Sequence, residues 1–246
     1  MFTLTELQLT RVAQYVRGYL LRTADLYGHK DARARAQHRW MHTLNVLKNI
    51  RKLCDGEKTD ADTRAVCEVA ALFHDIDHYT VDIPYHGVRG AETAGRYLTK
   101  EHYAADFVKR VAEAVRGHHQ DWEEETPIEA QIEAVAAAYS PETLMLIDAE
   151  TLDKIGVSNL LIALRTLNTL NNRPVSDLAR ELNSGWTLQR AEAWFSTLIT
   201  PTGKAFGVQR LAFTRLFFKQ LEDEIVMYDP YPSPSQQTLE LLQLPE

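Results

Sequence analysis

The chain has 246 residues, 45% hydrophobic and 25% charged, and a net charge of -7, a size that admits one large domain or two small ones around a sizeable core. The acidic balance argues against general affinity for nucleic-acid polymers or anionic membranes. No apolar stretch is long enough to span a bilayer, and the start Met1-Phe2-Thr3-Leu4-Thr5-Glu6 lacks the basic residues and apolar run of a signal peptide.

Helix signals recur along the chain. Thr3-Leu4-Thr5-Glu6 has a capping-box pattern, followed by Leu9, Val12, Val16 and Tyr19 at helical spacing. Met41 to Leu53 carries Val46, Ile50 and Leu53 on one face, and Asp60 or Thr59 caps a helix through Val66, Val69, Ala70 and Phe73. Thr126-Pro127-Ile128-Glu129 combines an N-cap, a proline at the first helical position and an early glutamate. Ser140-Pro141-Glu142 repeats that device before Leu144 to Leu152. A last helix is expected from about Thr202-Gly203-Lys204 through Leu211, Phe218 and Leu221 to about Ile225. Alternating strand patterns, Asn-Gly turns and internal repeats are absent from the sequence. Cys54 and Cys67 fall in helical stretches and read as reduced core thiols. The expectation is an all-α, soluble, cytoplasmic protein: one helical domain over residues 1–228 and a proline-rich tail over 229–246.

Several ligand-type residues fall on faces that should be buried. His42 precedes Val46 by four residues and shares its stripe with Ile50 and Leu53. His74 follows Ala70 by four and Cys67 by seven, and Asp75 is its neighbour. Asp148 lies four residues after Leu144 and four before Leu152, within an apolar face where a lone carboxylate is strongly unfavourable. Two imidazoles and two carboxylates from three helices suit a divalent transition metal such as Mn, Fe, Co or Ni.

This pattern, a histidine, an adjacent His-Asp and a distant aspartate, resembles the HD-domain superfamily of metal-dependent phosphohydrolases. The resemblance runs from about residue 38 to 165. His42 resembles the first ligand, His74-Asp75 the namesake pair, and Asp148 in Asp148-Ala149-Glu150-Thr151-Leu152-Asp153 the last ligand, with Glu150 and Asp153 as alternatives. His86, in His86-Gly87-Val88-Arg89-Gly90-Ala91, and either His118 or His119 fall where dinuclear members place a second site. Asp75 would then bridge two ions, so the resemblance implies one or two metals per chain. Relatives place a substrate- or water-contacting residue where His78 stands. Arg39, three residues before His42, is the candidate for holding phosphoryl oxygens, with Lys204 and Arg210 on the C-terminal helix as weaker candidates. His38 reads as a surface or supporting residue.

The implied activity is hydrolysis of a small phosphoester, such as a nucleotide, by a metal-activated water, with Asp75, His78 and Arg39 as catalytic groups. Two other classes share these motifs: a diiron oxygenase, similar over His74-Asp75-Ile76-Asp77-His78, and a nucleotide-sensing module without turnover.

Overall fold

The computed structural model describes residues 4–26, 32–158, 160–161 and 186–224. Among these the chain forms nine α-helices, one 3-10 turn and no strand, as the sequence pattern implies. In chain order they are α1 (Glu6–Leu26), α2 (Ala32–Gly56), α3 (Ala61–Phe73), a 3-10 turn (Ile83–Tyr85), α4 (His86–Lys100), α5 (Ala105–Gly117), α6 (Ile128–Ala138), α7 (Pro141–Asp153), α8 (Trp186–Ser196) and α9 (Pro201–Glu224). The expected tail lies outside the described residues, as does Ile225. No helix among the described residues is long and apolar enough to cross a membrane.

The helix starts follow local side-chain chemistry, with some shifts from the expected positions. At α1 the cap is Thr5 rather than Thr3. Its hydroxyl accepts from the Gln8 amide at 3.2 Å, and the Gln8 side chain accepts from the Thr5 amide at 3.0 Å. That is the same reciprocal box, moved two residues along. Asp60 accepts from the Thr63 amide at 2.7 Å and opens α3, and Ser140 caps α7 ahead of Pro141. At α6 Pro127 itself takes the cap position, because the Thr126 hydroxyl donates to Glu123 instead. Helix α2 begins at Ala32, well before the apolar stripe that starts near Met41, so its first turns carry His38 and Arg39 over the body of the molecule.

Helix α3 is the axis of the fold. Val69, Ala70, Ala71, Leu72 and Phe73 are all fully buried, as expected where the last turns of a helix are apolar all round. Around it pack Val12, Val16 and Leu20 of α1, Val46, Ile50 and Leu53 of α2, Val111 and Val115 of α5, and Leu146 and Leu152 of α7. Burial of each large side chain contributes about 1.5–3 kcal/mol. Cys54 and Cys67 are buried free thiols in this core.

Two polar ties lock the outer helices. Arg110 of α5 pairs with Asp62 of α3 and donates from Nε to Glu142 of α7 at 2.9 Å. Asn49 of α2 donates to the Ala149 carbonyl of α7 at 2.8 Å and accepts from Arg210 of α9 at 2.6 Å.

Candidate metal centre

Helix α3 ends where the chain needs polar groups, and the next residues coil through successive tight turns. The amides of Ile76, His78 and Thr80 donate to the carbonyls of Phe73, Asp75 and Asp77 at 3.0, 3.1 and 3.0 Å. Asp77 holds this coil in place. It is buried, and it accepts from the hydroxyls of Tyr19 at 2.7 Å, Thr80 at 2.6 Å and Thr93 at 2.5 Å, tying the turn to α1 and α4. Sequence reasoning missed this role, although an aspartate between Ile76 and His78 at the end of a buried helix was itself a sign that donors must surround it.

Asp75 then projects between two pairs of histidines. Its Oδ2 lies 3.4 Å from Nε2 of His42 and 3.3 Å from Nε2 of His74, while its Oδ1 lies 3.3 Å from Nε2 of His86 and 3.9 Å from Nε2 of His118. The donor atoms form two groups, His42–His74–Asp75 and Asp75–His86–His118, that share the carboxylate. His74, Asp75, His86 and His118 are buried. His42 comes from α2, the His74-Asp75 pair from the end of α3, His86 from the first residue of α4, and His118 from just past α5.

The tautomers follow from partners that can only accept. Nδ1 of His74 bonds the Ala71 carbonyl at 2.8 Å and Nδ1 of His118 the Val115 carbonyl at 2.7 Å. Nδ1 of His42 bonds the Asp153 carboxylate at 2.7 Å. A carbonyl or carboxylate accepts, so each Nδ1 carries its proton and each Nε2 presents a lone pair. Yet Nε2 of His42 and His74 are 3.2 Å apart, and those of His86 and His118 are 3.0 Å apart. Nitrogens converging on a shared carboxylate are an arrangement a cation satisfies, and the outer partners of His42, His74 and His118 orient those rings as metal-bound histidines require. The donor set therefore fits a divalent metal, with two groups of ligand atoms that share Asp75.

The local field keeps Asp75 anionic and His78 and His118 neutral, whereas His74, against the effect of its burial, is raised by the neighbouring Asp75 carboxylate. Burial works to raise Asp75, but Arg39 and His74 outweigh it and hold its carboxyl well below the usual range. Burial pushes His118 down to about 3, and burial with the Arg39 charge pushes His78 down to about 4. Arg39 pairs with Asp75 and donates to Nε2 of His78 at 2.7 Å. Both side chains remain about one-fifth exposed, at the open edge of the cluster.

Two expected residues, Asp148 and Lys204, sit elsewhere, and the reason is geometric. Asp148 is fully buried, but it accepts from the Ile199 amide at 2.8 Å, the Thr200 amide at 2.7 Å and the Thr200 hydroxyl at 2.6 Å. It anchors the start of α9 rather than joining the histidines, and a Cβ added at Gly203 would stand 2.2 Å from its Oδ2, so only glycine lets α9 come this close. The other two α7 acids flank the centre. Asp153 holds His42, and the buried Glu150 lies 3.9 Å from Nε2 of His118, its other oxygen 2.6 Å from Lys154. Burial raises the Glu150 carboxyl, but Lys154 and His118 reverse that and keep it ionised. Lys204 is exposed on α9, where its charge acts on Asp148, and no contact joins it to the cluster among the described residues. Of the paired histidines, His118 faces the carboxylate, whereas His119 turns outward to Asp121 at 3.3 Å. His38 lines a cavity beside His42.

Comparison with known proteins agrees with this architecture. Residues 39–142 match the model of the HD domain. No curated protein matches the chain at a significant level. Among solved structures, a predicted HD superfamily hydrolase of an uncultured Thermotogales bacterium is 23% identical, covers 86% of this chain and 91% of its own, and has a TM-score of 0.53. Bacillus subtilis YpgQ, crystallised with ADP, is 16% identical over 88% of this chain and 96% of its own, with a TM-score of 0.55. A Listeria innocua protein is 17% identical over 87% of this chain and 99% of its own, at 0.52. Those likenesses show a shared fold, and residues 39–142 are similar to the HD domain.

Proposed function

We propose that the chain is a metal-dependent hydrolase of a small phosphoester. The observation that carries this reading is Asp75, whose two oxygens each face a separate pair of histidine Nε2 atoms. His42, His74 and Asp75 would hold one ion, while Glu150, 3.9 Å from Nε2 of His118, lies beside the other group. Asp75, His86 and His118 would hold the second. When bound, such ions polarise a phosphoryl oxygen and lower the pKa of water.

The protein's own groups do the rest. Arg39, fixed by Asp75 and His78, offers its guanidinium at the open edge to phosphoryl oxygens. His78 accepts from Arg39 through Nε2, so Nδ1 carries the proton; that atom has no partner and lies 3.8 Å from Asp75 Oδ1. That N–H is buried, so it would donate only to a substrate oxygen or leaving group drawn in against Asp75. Asp153 and the Ala71 and Val115 carbonyls keep the imidazoles turned inward. The ADP carried by the Bacillus subtilis relative makes nucleotides the first substrate class to try.

The test is hydrolysis of aryl phosphates and a nucleotide panel by the metal-replete protein, alongside metals per chain. Hydrolysis of neither class overturns the reading. A second reading, a diiron oxygenase, draws on the complete second histidine pair at 3.0 Å. Two irons per chain with iron-dependent oxygen consumption and no phosphatase activity would select it.

A further inference from the structure

On the far side of Asp153 from the histidines lies a second cavity of about 320 Å³, walled by α2, the turn after α7, and α9. It is at the lower end of the size range for small-molecule pockets. Asn45, Lys48, Asn49 and Lys52 line it from α2, at spacings that put all four on one helical face. Arg210 and Phe213 line it from α9. Three cations thus face a single carboxylate, Asp153, in a chain whose net charge is -7. That carboxylate is committed elsewhere: Oδ2 holds His42 and Oδ1 accepts from the Ser158 hydroxyl at 2.8 Å.

The cations are not neutralised by other acids. Arg210 spends its donors on neutral groups, the Leu152 carbonyl and the Asn49 side chain, and its partial burial pushes the guanidinium below its ordinary value. Among the described residues no acid pairs with Lys48 or Lys52, and Lys52 sits 5.5 Å from the Phe206 ring. Lys48 and Lys52 are also like charges four residues apart, a spacing that weakens a helix until an anion lies between them. The turn is shaped for closeness to Arg210. Gly156 has φ +85, and a Cβ there would meet the Arg210 Cβ at 3.3 Å.

We infer that this cavity binds a phosphate group of a small ligand, distinct from any phosphoryl group reacting at Asp75, through Lys48, Lys52 and Arg210. Phe213 supplies an apolar face for the rest of the ligand. A smaller cavity beside His42 shares Asn45, Asp153 and Ser158 with this one, so an occupant bears on the carboxylate that orients a histidine of the centre. The inference stands without the hydrolytic reading, because it concerns binding.

The test titrates the zinc-loaded full chain with inorganic phosphate and follows backbone amides by NMR, zinc being free of unpaired electrons. Saturable shifts at Gly156, Ser158 and Gln209 are expected. The double variant Lys48→Gln/Lys52→Gln should weaken them by about tenfold or more, given the strength of charge-assisted phosphate contacts, while shifts around His74 to His78 persist. Both lysines are exposed, so the variant keeps the fold. Shifts confined to His74 to His78, or a double variant that titrates like the parent, would overturn the proposal. A double variant with raised KM for a nucleoside diphosphate but not for an aryl monophosphate would assign the group to the substrate itself. Unchanged KM for both, with phosphate binding lost, would assign it to a separate effector.

Discussion

Asp148→Asn separates a structural carboxylate from a metal ligand. The aspartate is fully buried and accepts three hydrogen bonds from Ile199 and Thr200, at 2.6 to 2.8 Å. Asparagine keeps the shape and one acceptor oxygen, but its amide nitrogen must face at least one of those buried donors. Leaving one such donor unsatisfied costs about 1–3 kcal/mol, so that is the expected loss of stability near neutral pH. Metal content per folded chain should not change.

The pH dependence sharpens this prediction. Burial pushes the Asp148 carboxyl from 3.8 up to about 6, against the pull of the Thr200 and Ile199 donors. The folded value lies above the unfolded one, so the folded state binds more protons between them. The contribution of Asp148 to the parent's stability is therefore greatest below about pH 4 and declines as pH rises toward 6. The rise of about two units corresponds to roughly 3 kcal/mol. Asparagine does not titrate, so the variant's deficit should shrink by about that amount from pH 4 to pH 7. Urea denaturation at both pH values, with metal analysis of the folded protein, makes the measurement. A variant with parental stability and fewer bound metals would refute the reasoning and return Asp148 to the ligand set.

Asp75→Ala removes the carboxylate common to both donor groups and should abolish binding of both ions, read as metals per chain by elemental analysis. His86→Ala should leave one metal per chain, because His42, His74 and Asp75 stay intact. Arg110→Met strands the buried Glu142 and should cost about 2–4 kcal/mol in denaturant unfolding, with metal content unchanged. Chelation should lower Tm. Ligand at a hundred times its Kd stabilises by about 2.7 kcal/mol per site, and an unchanged Tm would argue that the converging Nε2 atoms are held by protons instead.

Much of the centre was legible because helical periodicity places ligand types on buried faces. His42 and His74 continue the stripes of Val46 and Ala70, and both rings meet at Asp75. The same logic misled at Asp148. Periodicity correctly put it inside, but burial says nothing about which partner lies there, and the amides and hydroxyl that claim it come from residues 199 and 200, some fifty positions later. Asp153 illustrates the converse. It falls one residue beyond the stripe through Leu152, yet it is this acid that meets His42, because α7 ends there and the chain turns at Gly156. Asp77 was hidden for a related reason: its donors Tyr19 and Thr93 lie on α1 and α4, and only packing shows that these helices flank the turn after α3.

These misses share a physical origin and bear on how the centre is built. Asp148, Asp77 and Asp153 each meet a partner far along the chain, and each fixes a different part of one rigid frame. Asp148 anchors α9, Asp77 fixes the turn that bears Asp75, and Asp153 turns the His42 ring. The histidines themselves need only local carbonyls, three residues upstream for His74 and His118, to set their tautomers. His74 and His118 are thus oriented by the carbonyls of their own helix ends, whereas His42 and the carboxylates are set by tertiary contacts. The centre forms once the helices have docked, and it presents lone pairs that repel one another until a cation or a proton joins them.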